Sequence, residues 1–149
     1  MVAVPACRSF LMERVPFLFF QQRQDIMTVI STPKAPAAIG PYSQGIDTGV
    51  FIFVSGQLPL DPASGTMPAD PAAQARQSME NVKAILEAAG SSVAKVVKMT
   101  LFLQNMEHFA AINEVYASFF SGSFPARSCV QVARLPKDAL VEIEAIAVK

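Results

Sequence analysis

Apolar residues change their spacing along this chain, and each change marks an element. Val50 to Ser55 (VFIFVS) is a short run of β-branched and aromatic residues that predicts a buried strand, and Pro59, Asp61, Pro62, Ser64 and Gly65 behind it predict a loop. The spacing then turns helical. Ala75, Met79, Val82, Ile85, Leu86 and Ala89 share one face of a helix that Asp70 caps, Pro71 opens and Gly90 ends. Val96 to Leu103 (VVKMTLFL) predicts a further strand, with Lys98 and Thr100 as its polar alternates. A second helix is expected after Asn105, its cap, with Phe109, Ile112, Val115, Tyr116 and Phe119 as an apolar stripe whose aromatics read as core. Ser128 to Ala133 and Leu140 to Val148 are two more strand-like runs. Only a turn containing Pro136, Lys137 and Asp138 divides them, which predicts adjacent antiparallel strands.

Strand, helix, strand, helix and two closing strands predict an α+β fold, a mixed sheet with both helices on one face. The last strand sets Glu142, Glu144, Ile146 and Val148 on one side and Val141, Ile143, Ala145 and Ala147 on the other. Both sides are too apolar for free exposure to water. The face without helices is therefore expected to be covered by other copies of the chain.

With 149 residues and 52% apolar content, the chain holds one compact domain's worth of core. Twelve basic residues balance twelve acidic ones, so the electrostatic footprint of a nucleic-acid binder is missing. No apolar run approaches the roughly 20 residues that span a bilayer, and no membrane partner is expected. A small molecule is the expected partner. Cys7 and Cys129 lie far apart in segments of different character, which predicts no disulfide and fits a reducing compartment, the cytoplasm. His108, the single histidine, has no Cys or His at ligand spacing, so no metal is assigned. Residues 1–26 stand apart, with Arg8, Arg14 and Arg23 around a short aromatic run and two prolines. They are expected to be a disordered N-terminal extension or the product of an upstream start, with a mitochondrial targeting segment as the other option, and residues 27–149 form the domain.

Candidate chemistry centres on FPARSCVQVARL, Phe124 to Leu135, and on VEIEA, Val141 to Ala145. If the two runs are neighbouring strands, Arg127 and Glu142 could form the two ends of one small anion-binding pocket. A guanidinium grips a carboxylate through two parallel hydrogen bonds, and a glutamate beside it can orient or deprotonate a water. From these two residues alone, a partly buried Arg–Glu ion pair is the alternative.

The same segment resembles the signature of the RidA (YjgF) family of reactive-intermediate deaminases. So do APAAIGPYSQG at Ala35 to Gly45, VSGQLPLDPASG at Val54 to Gly65, PADPAAQARQSMENVKAILEAAG at Pro68 to Gly90 and ARLPKDALVEIEAIAV at Ala133 to Val148. The resemblance runs from about Thr28 to Lys149. It implies a chorismate-mutase-like fold assembled as a homotrimer, with sites in the clefts between subunits. It also implies that Arg127 anchors a carboxylate, with Tyr42, Ser55, Gly56, Asn113, Cys129 and Glu142 around the pocket. The implied reaction is hydrolysis of 2-imino acids such as 2-iminobutanoate and 2-iminopropanoate to 2-keto acids and ammonia. Holding the carboxylate, positioning a water and moving one proton suffice, so neither a metal nor an organic cofactor is expected. Gly56 at a strand end permits close backbone approach to a ligand, and Cys129 is expected to act through its backbone rather than as a thiolate. One departure from the family stands out. Only Ser121, Gly122 and Ser123 separate Phe119-Phe120 from Phe124, a shorter loop than the bacterial deaminases usually have, which bears on side-chain preference. Two other functions fit such a chain. A non-catalytic sensor or chaperone-like trimer could use the Arg127 pocket to bind a small carboxylate, although Glu142 would then place a second negative charge near an anion. An RNA-cleaving translation inhibitor is disfavoured by the balanced charge and the lack of a histidine pair.

Overall fold

The computed structural model describes residues 27–149, so the readings of residues 1–26 and of Cys7 lie outside the described residues. Its elements in chain order are β1 (Thr28–Ile30), β2 (Gly45–Asp47), β3 (Phe51–Gln57), α1 (Pro71–Ala88), β4 (Val96–Leu103), α2 (Phe109–Ala117), β5 (Ala126–Gln131) and β6 (Val141–Val148). The six strands form one sheet in the order β1-β2-β3-β6-β4-β5, antiparallel except for the parallel β4–β5 pair. This is the expected mixed α+β architecture. β1 and β2, at three residues each, are too short to leave a periodic signal and were not anticipated from the pattern.

The long helix forms where the pattern places it. The Asp70 carboxylate accepts from the Ala73 amide at 2.8 Å, Pro71 occupies the first turn, and Gly90 takes the left-handed φ of 77° that ends the helix. Asn105 caps a short turn, Met106–His108, that leads into α2; its side chain accepts from the Glu107 amide at 2.9 Å. Met79, Val82, Ile85 and Leu86 of α1 and Ile112 and Tyr116 of α2 pack with Ile52, Met99, Leu101, Leu103, Val141 and Ile143 into one core on one side of the sheet. Burying each large side chain contributes about 1.5–3 kcal/mol, so this side carries the fold.

Two buried amides fix the strands that bear the candidate residues. Gln74 of α1 donates to the Pro68 carbonyl at 2.7 Å while its oxygen accepts from the Leu140 amide at 2.8 Å, locking the start of β6. Asn81 donates to the carbonyls of Leu58 and Leu60, each at 2.9 Å, and holds the loop behind β3.

The strand pairing departs from expectation at one place. β5 and β6 are not neighbours, because β4 lies between them and pairs with both. The turn at Pro136–Asp138 carries the chain past one end of β4, with Lys137 and Asp138 in left-handed conformations at φ 57° and 56°. The prediction of an adjacent pair is therefore wrong, since a short link can also bridge over one intervening strand.

The sheet's other face carries no helix. Phe51 and Phe53 of β3 and Val130 of β5 are exposed there, beside half-buried Phe102, Ile146 and Val148. Such contiguous apolar surface is unusual for a chain that stays alone. Among the described residues, no helix is long and apolar enough to cross a membrane.

Candidate active site

Residues paired across a ladder share a face of the sheet, so register decides where each candidate side chain lies. Arg127 pairs with Met99 and Cys129 with Leu101, both core residues beneath the helices. Arg127 thus points toward α2. There its Nη1 donates to Asn113 Oδ1 at 2.6 Å, and its guanidinium lies 4.7 Å from the Tyr116 ring centre and 5.5 Å from that of Phe109. Phe109, Asn113 and Tyr116 are four and then three residues apart, one face of one helix, and together they form a socket. Two π faces and an amide oxygen stabilise the cation without neutralising it. Among the described residues the ion pairs are Lys83–Glu80, Arg134–Asp138 and Lys149–Asp47, so no carboxylate claims Arg127. Its other N–H groups are available to a cavity of about 420 Å³ lined by Asn113, Tyr116, Ala117, Phe124, Pro125 and Arg127. Burial raises the Cys129 thiol pKa and Arg127 only partly opposes it, which keeps the thiol protonated near neutrality.

Glu142 pairs with Phe102 and Glu144 with Thr100, on the face without helices. Beside Glu142 the β3–β6 register shifts between Val54 and Gln57, a bulge that contains Ser55 and Gly56. A Cβ placed on Gly56 would overlap the Glu142 carboxylate and lie 2.8 Å from its Cδ, so only glycine admits this contact. Gln57 Nε2 donates to the Ser55 carbonyl at 3.0 Å and braces the bulge. Ser55 Oγ donates to the Ser43 carbonyl at 2.7 Å and the Ser55 amide to the Gln44 carbonyl at 3.0 Å, which ties Tyr42's segment to the same place. Tyr42 is half exposed, its hydroxyl accepting from the Ile39 amide at 3.3 Å. Burial, reinforced by Glu144, raises the pKa of Glu142.

The seven predicted residues therefore fall into two groups. Arg127, Asn113 and Cys129 meet on the helix side; Glu142, Gly56 and Ser55 meet on the other, with Tyr42 in the adjoining segment. Within one chain they do not form a single pocket, and the alternative of an Arg127–Glu142 ion pair fails for the same reason. Asn113, expected around the pocket from the resemblance alone, is Arg127's hydrogen-bond partner. Phe109 and Tyr116 were assigned to the core alone, yet they also wall the guanidinium. Their spacing about Asn113 was the signal available for that role.

Taken together, this is a two-layer α+β domain carrying an arginine that no carboxylate among the described residues pairs with. It belongs to the endoribonuclease L-PSP family, whose model matches residues 32–149. The chain is 58% identical over 123 residues to the 2-iminobutanoate/2-iminopropanoate deaminase of Escherichia coli K12, covering 80% of this chain and 96% of that protein. A crystal structure of E. coli TdcF with bound serine superposes with a TM-score of 0.80 at 57% identity, covering 82% of this chain and 98% of that one. RidA from an Antarctic Psychrobacter gives a TM-score of 0.80 at 47% identity, covering 82% and 99%.

Proposed function

We propose that this protein is a deaminase that hydrolyses 2-imino acids, 2-iminobutanoate and 2-iminopropanoate among them, to 2-keto acids and ammonia. The observation that carries the reading is the Arg127 guanidinium, held by neutral groups at the wall of a cavity and so free to bind an anion. A relative 58% identical bears the name of this activity, which supports the same assignment.

The reaction joins an imine, R–C(=NH)–COO⁻, with one water to give R–CO–COO⁻ and NH₃. Arg127 grips the substrate carboxylate through its remaining N–H groups. Water adds to C2, and a carboxylate in Glu142's role takes the water's proton and returns one to the departing nitrogen. A raised pKa suits that exchange, because the group must hold a proton between the two steps. Arg127 and Glu142 can serve one substrate only if they come from different copies. A homotrimer that buries the helix-free face supplies that arrangement: Tyr42, Ser55, Gly56 and Glu142 of one copy close over Arg127, Asn113 and Cys129 of the next.

Coupling the purified protein to a threonine dehydratase and timing 2-ketobutanoate and ammonia release tests the reading. Release faster than the uncatalysed imine is expected. Binding of 2-ketobutanoate with no acceleration would instead identify a non-catalytic carboxylate-binding protein.

A further inference from the structure

β1 and β2 pair with Ile30 opposite Gly45, so residues 31–44 leave the sheet and re-enter it at one point, with Tyr42 near the end of the excursion. One side chain closes the neck of this loop. Gln44 is only 5% exposed; its Oε1 accepts from the Thr32 amide at 2.7 Å, and its Nε2 donates to the Pro36 carbonyl at 2.8 Å and to those of Thr32 and Ala35 at 3.1 Å each. Both ends of the amide are thus engaged by the outgoing limb, residues 32–36. Ala35 packs into the core, so that limb is a fixed base to which Gln44 ties the returning one. The backbone of the same residue faces the bulge: the Gln44 carbonyl accepts from the Ser55 amide at 3.0 Å. Tyr42's own bonds are local. Its amide donates to the Gly40 carbonyl at 2.8 Å and its hydroxyl accepts from the Ile39 amide, which folds the tip on itself without attaching it to the sheet. The place of the tip beside Glu142 is therefore set by Gln44 and by the Ser55 Oγ bond to the Ser43 carbonyl. All of these bonds lie within one chain, so the staple is complete before copies meet.

We infer that Gln44 is a positioning residue: without touching substrate, its amide holds the loop so that Tyr42 stands beside Ser55, Gly56 and Glu142 in the half-site that each copy brings to a cleft. The inference rests on the deaminase reading and assigns the residue that keeps this half-site in shape. Gln44→Leu keeps a similar volume and removes the amide, which leaves the Thr32 amide and three carbonyls to seek water by lifting the limbs apart. A displacement of Tyr42 by about 1 Å is enough to lower kcat/KM by about 10-fold to 100-fold.

Two readouts test this. Lys34 is exposed and its bond to Ala35 lies inside the stapled limb, so trypsin cleavage after Lys34, identified by mass spectrometry, reports the loop directly. At a temperature where melting curves show both proteins folded, Gln44→Leu should speed that cleavage by at least about tenfold. The second readout is a double-mutant cycle in the coupled threonine dehydratase assay. Gln44→Leu and Tyr42→Ala should each lower kcat/KM by about 10-fold to 100-fold, while Gln44→Leu added to Tyr42→Ala should lower it by less than about twofold more. If Gln44→Leu does not fold, Gln44→Glu, which keeps the length and the Oε1 acceptor but donates nothing when ionised, carries both measurements. Unaltered cleavage after Lys34 overturns the staple. An equal loss in both backgrounds, or kcat/KM unchanged by either single substitution, overturns the positioning role alone. No acceleration of the imine by the wild-type protein overturns the deaminase reading and this role with it, and faster cleavage would then mark Gln44 as a purely structural tie.

Discussion

Arg127 and Glu142 point away from each other through the same sheet, the first toward Asn113 and Tyr116 of α2 and the second across the helix-free face against Gly56. Strands in a sheet alternate their side chains, so no small adjustment of either residue brings the two together.

Complementation between variants follows. Arg127→Ala and Glu142→Gln should each be nearly inactive alone, but unfolding and refolding them together in equal amounts should restore activity. Random assortment gives each cleft about one chance in four of drawing an intact Arg127 from one copy and an intact Glu142 from the next. Recovery of about a quarter of wild-type turnover is expected; none at all, in a mixture whose light scattering reports trimers, would place both residues' work within one chain.

Arg127→Lys keeps the charge and removes the planar fork. A lysine ammonium makes a point contact and cannot span both carboxylate oxygens, so the lost charge-assisted hydrogen bond should cost about 1.5–3 kcal/mol, or roughly one to two orders of magnitude in kcat/KM. Differential scanning calorimetry should find Tm little changed, since among the described residues no carboxylate partner is stranded. A large fall in Tm with activity retained would assign Arg127 to structure.

Gly56→Ala tests the other half of the site. The added methyl would collide with the far end of the Glu142 side chain, which can swing aside at little expense in stability but loses its position. Turnover should fall by about 10-fold to 100-fold with the fold intact. Unchanged kcat would mean that the placement of Glu142 is irrelevant to the chemistry.

The legibility of these features in the sequence follows how local each one is. The α1 helix is written in its own residues: Asp70, Pro71 and Gly90 act within a turn of its ends, and Met79, Val82 and Ile85 repeat along it. Pairing of β4 with β5 and β6 depends on contacts far apart in the chain, and no motif between Arg134 and Leu140 reveals that β4 lies between the flanking strands. The face occupied by Arg127 was obscured for the same reason, because it depends on which strand it pairs with. Asn113 was placed near the pocket by resemblance, whereas its bond to Arg127 required the register of β5 over α2.

The pH response of Glu142 has a definite sign. Burial holds its carboxyl above the ordinary 4.5, so the folded chain binds that proton more tightly than the unfolded chain does. Its contribution to stability is present in full below the ordinary value and is lost as pH rises through the raised one. Glu142→Gln removes that dependence, so the Tm of wild type relative to the variant should decline as pH rises from the ordinary 4.5 through the raised value. The same substitution should lower turnover by about 10²-fold and remove the acidic limb of the wild-type rate profile. A difference in Tm that stays constant across this range would show that the carboxyl titrates as an ordinary surface group.

If Arg127 is the anion anchor and Glu142 the proton carrier, a sheet that holds them on opposite sides also makes catalysis a matter of abundance. Diluted below the concentration at which copies associate, each chain would retain its core and its Arg127 socket yet have no complete cleft, so specific activity would fall with protein concentration although every molecule stayed folded. Imine clearance would then have a threshold in the amount of protein made, and a cell could silence it by reducing expression without any inhibitor.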